Sequence, residues 1–93
     1  MKSIDAVQRA LALARTRAGK TPGFPLYASC VAQLEYLLSN LDGSVPVDRP
    51  KLRTFTIGHY AVREFEESDE ELARALKDAY LIASKLADGV KVT

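Results

Sequence analysis

The sequence predicts an all-α protein, a single small bundle of four to five helices that occupies residues 1–93 as one domain. Apolar residues recur every three or four positions over most of the chain, which is the spacing of amphipathic helices. All four prolines and three of the five glycines lie in two short breaks, residues 19–25 and 42–50, where the chain turns. Hydrophobic residues make up 47% and charged residues 27%, a balance typical of a folded chain of this length.

The first two helices flank the first break. One is predicted from about Ser3 to Ala18, with Ser3 as its N-cap and Gly19 at its end. Its leucine at position 13 falls among arginines, away from the core face. The next, roughly Pro25 to Leu41, carries an apolar arc of about 140° on a helical wheel, which predicts a central helix with two or more neighbours.

The third region is ambiguous in sequence. Asp48 and Pro50 are suited to the start of a short helix, whereas the β-branched and aromatic run at 54–57 also allows a short strand. Beyond it, apolar residues recur every four positions (Ile57, Ala61 and Phe65, with Val62 beside them), which favours helix. Gly58 is then expected to mark a kink between two short helices.

The last helix has the clearest signals. Ser68 and Glu71 have the spacing of a capping box, in which the Ser68 hydroxyl accepts a hydrogen bond from the Glu71 amide and the Glu71 side chain reaches back to the Ser68 amide. An apolar stripe follows, and Gly89 is suited to close the helix.

Composition excludes several classes of protein. The net charge is +1, from 13 Lys and Arg against 12 Asp and Glu, which argues against binding nucleic acid by bulk charge. One cysteine permits neither an internal disulfide nor a Cys-rich zinc site. Charges at the N-terminus interrupt any signal-peptide core, and no apolar run approaches the roughly 18 residues of a membrane span. A cytoplasmic protein is expected.

The charge is nevertheless unevenly distributed. Residues 1–20 carry five basic side chains against Asp5, and residues 64–71, called the acidic segment below, carry six acids without a base. The commonest interpretation of such a run is a solvated face. The alternative is an electrostatic patch for a basic partner surface.

Candidates for catalysis are few. His59 is the only histidine, and on a helical wheel it points away from the apolar stripe, so a solvated or partner-facing role is favoured. Cys30 falls inside the apolar arc of the central helix, where cysteine usually acts as a small hydrophobe. No phosphate-binding loop is present. These features favour binding over catalysis, and Tyr60, off the main stripe, suits an interface.

The stretch from Thr56 to Tyr80 carries a resemblance to a known family. It reads T-I-G-H-Y-A-V-R-E-F-E-E-S-D-E-E-L-A-R-A-L-K-D-A-Y, and the segments 5–13, 22–23 and 33–36 (Q-L-x-Y) are similar as well. The chain resembles the immunity proteins that neutralise NAD(P)⁺-glycohydrolase toxins delivered by bacterial type VI secretion. Most of the matched positions are structural by their pattern.

The resemblance implies a helical protein, without catalytic activity or cofactor, that binds the toxin domain one-to-one and covers its active-site cleft. No nucleic acid or membrane is expected as a partner. The toxin-facing surface is predicted to comprise His59, Tyr60, Arg63, Glu64, Glu66, Glu67 and Asp69. A helical adaptor or regulatory protein with an unrelated partner would have the same composition. A small enzyme is the weakest alternative, because no group of residues supplies a nucleophile, a base and oxyanion donors together.

Overall fold

The computed structural model describes residues 2–92, and every regular element in that range is helical, which confirms the predicted all-α bundle. The elements in chain order are α1 (Ser3–Lys20), α2 (Pro25–Leu41), α3 (Arg49–Leu52), α4 (Ile57–Tyr60), a π-helix (Ala61–Phe65) that continues α4 directly, and α5 (Glu70–Ala87). The bounds predicted for α2 are confirmed. The alternative strand at 54–57 is wrong, because residues 54–56 are a turn followed by irregular backbone and Ile57 begins α4.

The core lies where α1 packs against both α2 and α5. Its largest fully buried side chains on α2 and α5 are Leu34, Leu37, Leu72 and Leu76. The buried face of α1 includes Ala10 and Ala14, whose small side chains let the neighbouring helices approach closely. The expectation that leucine 13 lies off the core is wrong, since Leu13 is half-buried and packs against the core cluster.

Two predicted helix starts differ from the structure. Ser3 begins α1, but Lys2 is in the N-cap position and no side chain caps the helix. At α5 the N-cap is Asp69, whose carboxylate accepts a hydrogen bond from the Leu72 amide at 3.3 Å. Ser68 instead donates its hydroxyl to the Glu64 carbonyl at 3.0 Å, so the predicted capping box does not form. Ser68 therefore belongs to the turn before α5.

Of the remaining predicted helix boundaries, the start of α3 and the end of α5 are as expected, and the end of α1 is not. Asp48 caps α3 by accepting from the Lys51 amide at 3.2 Å. Gly89 follows α5 with a φ of +76°, the left-handed conformation that favours glycine at this position. Gly19 was expected to end α1, but the helix continues through it to Lys20.

Gly58 is not a kink between two helices. It lies inside α4, and α3 and α4 are separated by residues 53–56. Its role is to permit a close approach, because a Cβ atom at position 58 would lie 2.6 Å from Cγ of Tyr80 on α5. The missing side chain lets the Tyr80 ring lie against the backbone of α4 and fixes α4 on α5.

Replacing Gly58 by alanine is therefore expected to lower the free energy of unfolding by about 1–3 kcal/mol through overpacking. Denaturant unfolding would measure the change. Gly19→Ala is the matched control, since a Cβ there meets no atom within 4 Å and alanine is the better helix former. The Gly19 variant should be as stable as the parent protein or more so. Equal stability of the two variants would contradict the role given to Gly58.

Candidate partner-binding surface

Residues 57–65, the α4–π segment, form the most distinctive surface element of the protein. Its inward side chains are Ile57, Ala61 and Phe65, all buried. The Phe65 ring stacks on Tyr27 with a centroid separation of 5.4 Å and meets the edge of Phe24 at 6.5 Å. This aromatic cluster anchors the end of the π-helix to the start of α2. Single π-helical turns are uncommon in proteins, and those that occur are often at functional sites.

The outward side of the π-helix and the turn after it form one patch, called the π-turn patch below. Its side chains surround a shallow depression of about 440 Å³ and are Val62, Arg63, Glu64, Glu66, Glu67 and Ser68. Val62 is 57% exposed, a large exposed fraction for an apolar side chain. The structure thus brings four predicted site residues together around an exposed valine.

Val62 was not among the predicted site residues. In sequence it lies beside the apolar stripe of Ile57, Ala61 and Phe65. In the structure the neighbours Ala61 and Phe65 are buried and Val62 faces solvent. The only sequence signal for its exposure is the group of charged residues at 63–67.

The acidic segment is largely neutralised by basic side chains of the same chain. The ion pairs join Glu66 to Lys77 (3.4 Å), Asp69 to Arg17 (2.8 Å), Glu70 to Arg74 (2.7 Å) and Glu71 to Arg17 (3.2 Å) and Arg9 (3.8 Å). Within residues 2–92, Glu64 and Glu67 are the two acids of this segment without an ion pair. Both lie in the π-turn patch, beside the Arg63 side chain, so the unpaired acids of the segment are gathered there.

Asp69 differs from the other acids of the segment because its carboxylate is mostly shielded from solvent and caps α5. It accepts hydrogen bonds from Nε and Nη2 of Arg17, at 2.8 and 3.3 Å, and from the Leu72 amide. The side chains of Asp69 and Arg17 are only 18% and 23% exposed. The Arg17 hydrogen bond lowers the pKa of the Asp69 carboxyl, burial opposes the change, and the Leu72 amide adds to the lowering. Asp69 therefore links α1 to α5.

The remaining two predicted residues precede the patch on α4. His59 is exposed, and its ring lies beside that of Tyr80, with the centroids 6.1 Å apart. Tyr60 is half-buried and packs against the core. Part of its surface is thus available to a partner, and part serves the fold.

The described residues offer no arrangement suited to catalysis. Cys30 is fully buried, and burial raises the pKa of its thiol to about 11, the reverse of the shift that activates a nucleophilic cysteine. No group of three or more His, Cys, Asp or Glu side chains in the described part of the chain is arranged to hold a metal ion. Across residues 2–92, no helix combines the length and apolar character needed to cross a membrane.

Comparison with known proteins gives four consistent findings. A sequence model of the Tsi6 family matches residues 2–85. The immune protein Tsi6 of Pseudomonas aeruginosa PAO1 is 44% identical over 93 residues, covering 99% of this chain and 97% of the relative. A chain in the solved structure of Tse6 in complex with Tsi6 superposes with a TM-score of 0.90 at 42% identity, covering 98% of this chain and 96% of that one. The structure of Tsi6 from P. aeruginosa gives a TM-score of 0.82 at 43% identity, over 89% and 95% of the two chains.

Proposed function

Since the chain belongs to the Tsi6 family of immunity proteins, we propose that it binds one cognate effector toxin and inhibits it. An immunity protein acts by binding and is not itself an enzyme. Following the resemblance, the toxin is an NAD(P)⁺-glycohydrolase domain of a type VI secretion effector, held in a 1:1 complex in the cytoplasm. No cofactor, nucleic acid or membrane takes part in this role.

The mechanism proposed is occlusion of the toxin's active-site cleft by the π-turn patch. A cleft that holds the pyrophosphate of NAD(P)⁺ needs basic side chains or backbone amides on its walls. Glu64 and Glu67 carry the negative charge that such walls attract, and neither is neutralised by an ion pair within residues 2–92. Their position side by side in the π-turn patch, on the π-helix and the turn after it, is the observation that carries this assignment.

Val62 gives the patch an apolar centre. Interfaces commonly combine a desolvated apolar core with a polar rim, and charges at the rim speed association. In this arrangement Val62 enters the mouth of the cleft, the two free carboxylates meet its basic walls, and Arg63 supplies hydrogen-bond donors. His59 and the exposed part of Tyr60 extend the contact along α4.

Titration of NAD⁺ hydrolysis tests the function. The purified toxin domain encoded beside this gene is held at a fixed concentration, and the protein is added in increasing amounts. We expect inhibition that is complete at one equivalent, together with a 1:1 complex by size-exclusion chromatography. Unchanged hydrolysis and absence of a complex would contradict the proposal and leave a helical adaptor with an unrelated partner.

Charge reversal in the patch tests the binding surface. Glu64→Lys and Glu67→Lys together should weaken toxin binding by about 10- to 100-fold, mainly through slower association, because like charges would then face each other. Asp78→Lys is the control, since Asp78 is an exposed acid on α5 that faces the groove between α1 and α5. Binding kinetics measured for both variants should show an effect of the patch reversal alone. Similar rates for all three proteins would place the interface elsewhere.

A further inference from the structure

The start of α4 lacks a cap from its own side chains. Thr56 occupies the N-cap position with φ −116° and ψ 0°, and its side chain does not cap the helix. The first amides of a helix have no acceptor within that helix, so they require one from elsewhere. A four-residue helix has little intrinsic stability, and its position therefore depends on tertiary contacts.

The side chain of Gln33 on α2 supplies the missing acceptor. Its Oε1 accepts from the backbone amides of Thr56 at 2.8 Å and Ile57 at 3.2 Å. Its Nε2 donates to Oγ1 of Thr56 at 2.9 Å and to Oγ of Ser29 at 3.1 Å. One amide group thus makes four hydrogen bonds, which uses both of its hydrogens and both acceptor sites of its oxygen. Because backbone amides only donate, the orientation of the Gln33 amide is determined.

These bonds and the packing of Gly58 hold the α4–π segment from two sides. Gln33 fixes the first residues of the segment to α2, and Tyr80 lies against Gly58 from α5. The Phe65 ring anchors the far end. Of the three attachments, the one at Gln33 is directional, because hydrogen bonds define an angle as well as a distance.

We propose that Gln33 is a positioning residue for partner recognition, which holds the α4–π segment in the orientation that binds the toxin. Gln33 is half-buried on α2 and acts through the segment. The inference rests on the proposed function. Its physical basis is preorganisation: when only a fraction of molecules has the binding-competent arrangement, the apparent affinity falls by that fraction.

The decisive comparison is between two substitutions of Gln33. Gln33→Met keeps the length of the side chain and removes every hydrogen bond, and we expect about tenfold weaker binding to the purified toxin domain. Gln33→Glu retains oxygen acceptors for the two amides, and the hydroxyls of Ser29 and Thr56 can rotate to donate to the second carboxylate oxygen. Because the segment then keeps its orientation, the affinity of Gln33→Glu for the toxin should be within about threefold of that of the parent protein.

Asn40 provides the matched control on the same helix. Its side-chain amide donates to the carbonyls of Val45 at 3.2 Å and Pro46 at 3.4 Å, so it holds the loop after α2. Asn40→Leu removes those bonds without changing the α4–π segment. It should reduce thermal stability and leave toxin affinity unchanged. Equal affinity losses in the Asn40 and Gln33→Met variants would show a merely structural role and overturn the inference.

Amide hydrogen exchange of the free proteins gives a second readout that needs no partner. Exchange at residues 56–65 should be faster in Gln33→Met, and close to the parent rate in Gln33→Glu and Asn40→Leu. Parent-like affinity and exchange in Gln33→Met, or failure of Gln33→Glu to restore both, would overturn the inference. If the parent protein does not bind the toxin, the proposed function fails by itself, and the exchange pattern alone then decides whether Gln33 positions the segment.

Discussion

Replacing Phe65 with alanine is expected to lower the free energy of unfolding by about 3–5 kcal/mol, because it removes a large buried ring and leaves a cavity. Phe65 is 2% exposed and is shared by two packing units, the aromatic cluster with Tyr27 and Phe24 and the end of the π-helix. For a small domain, whose total stability is of the order of 5–15 kcal/mol, such a loss is a large fraction of the total.

Val62→Ala is the matched control for Phe65→Ala. Both changes truncate an apolar side chain within the same π-helix, but Val62 is exposed, so its loss should change the free energy of unfolding by no more than about 0.5 kcal/mol. Urea unfolding followed by circular dichroism measures both values. The Val62 variant should instead bind the toxin less tightly. A Phe65 variant as stable as the Val62 variant would show that the aromatic cluster does not support the fold.

Replacing Asp69 with alanine should cost about 2–4 kcal/mol, the second largest loss of stability expected here. The change removes the N-cap of α5 and the charge-assisted hydrogen bonds from Arg17, and leaves the half-buried Arg17 side chain with Glu71 as its remaining partner. Asp69→Asn separates the two effects, because asparagine caps helices well but carries no charge. The free energy of unfolding of the asparagine variant, measured with denaturant, should therefore lie between those of the alanine variant and the parent protein.

The pH dependence of these variants identifies the contribution of the Asp69 charge. The pKa of Asp69 is lower in the folded protein than in the unfolded chain, where aspartate titrates near about 3.9. The stabilisation is therefore fully present above that unfolded value and is lost as the pH falls through the folded pKa. The stability difference between the parent protein and Asp69→Asn should be constant near neutral pH and disappear in strong acid. A difference that persists unchanged in acid would exclude the charge as its source.

The sequence predicts the fold well where the signals are local. The apolar spacing of α2 and the position of Pro25 define its bounds, and Asp48 caps α3 as expected. The start of α5 depends on distant residues. Ser68 and Asp69 are both good caps, and Arg17, 52 residues away, binds the carboxylate of Asp69. No pattern within the segment reveals that choice.

The sequence predicts which charged residues form the candidate surface, but not their ion pairs or which apolar side chain is exposed among them. The run of acids indicates residues 64–71, but the ion pairs of Asp69 and Glu71 depend on how α1 packs against α5, and that of Glu66 depends on how the turn before α5 lies on that helix. Gln33 stands in the sequence only as part of the Q-L-x-Y motif, because the sequence does not show which backbone groups a glutamine side chain will contact. Helical periodicity places Val62 beside a buried stripe but does not show whether a residue in that position faces solvent.

The π-helix has both buried and exposed side chains, and this arrangement bears on how such proteins diversify. Buried Ala61 and Phe65 maintain the fold, while exposed Val62, Arg63 and Glu64 between them are released from that constraint. Substitutions at exposed positions usually change stability by less than about 0.5 kcal/mol. Under the proposed function, selection on these three residues acts mainly on recognition. The side chains that face the partner can then change, as a toxin diverges, without loss of the fold.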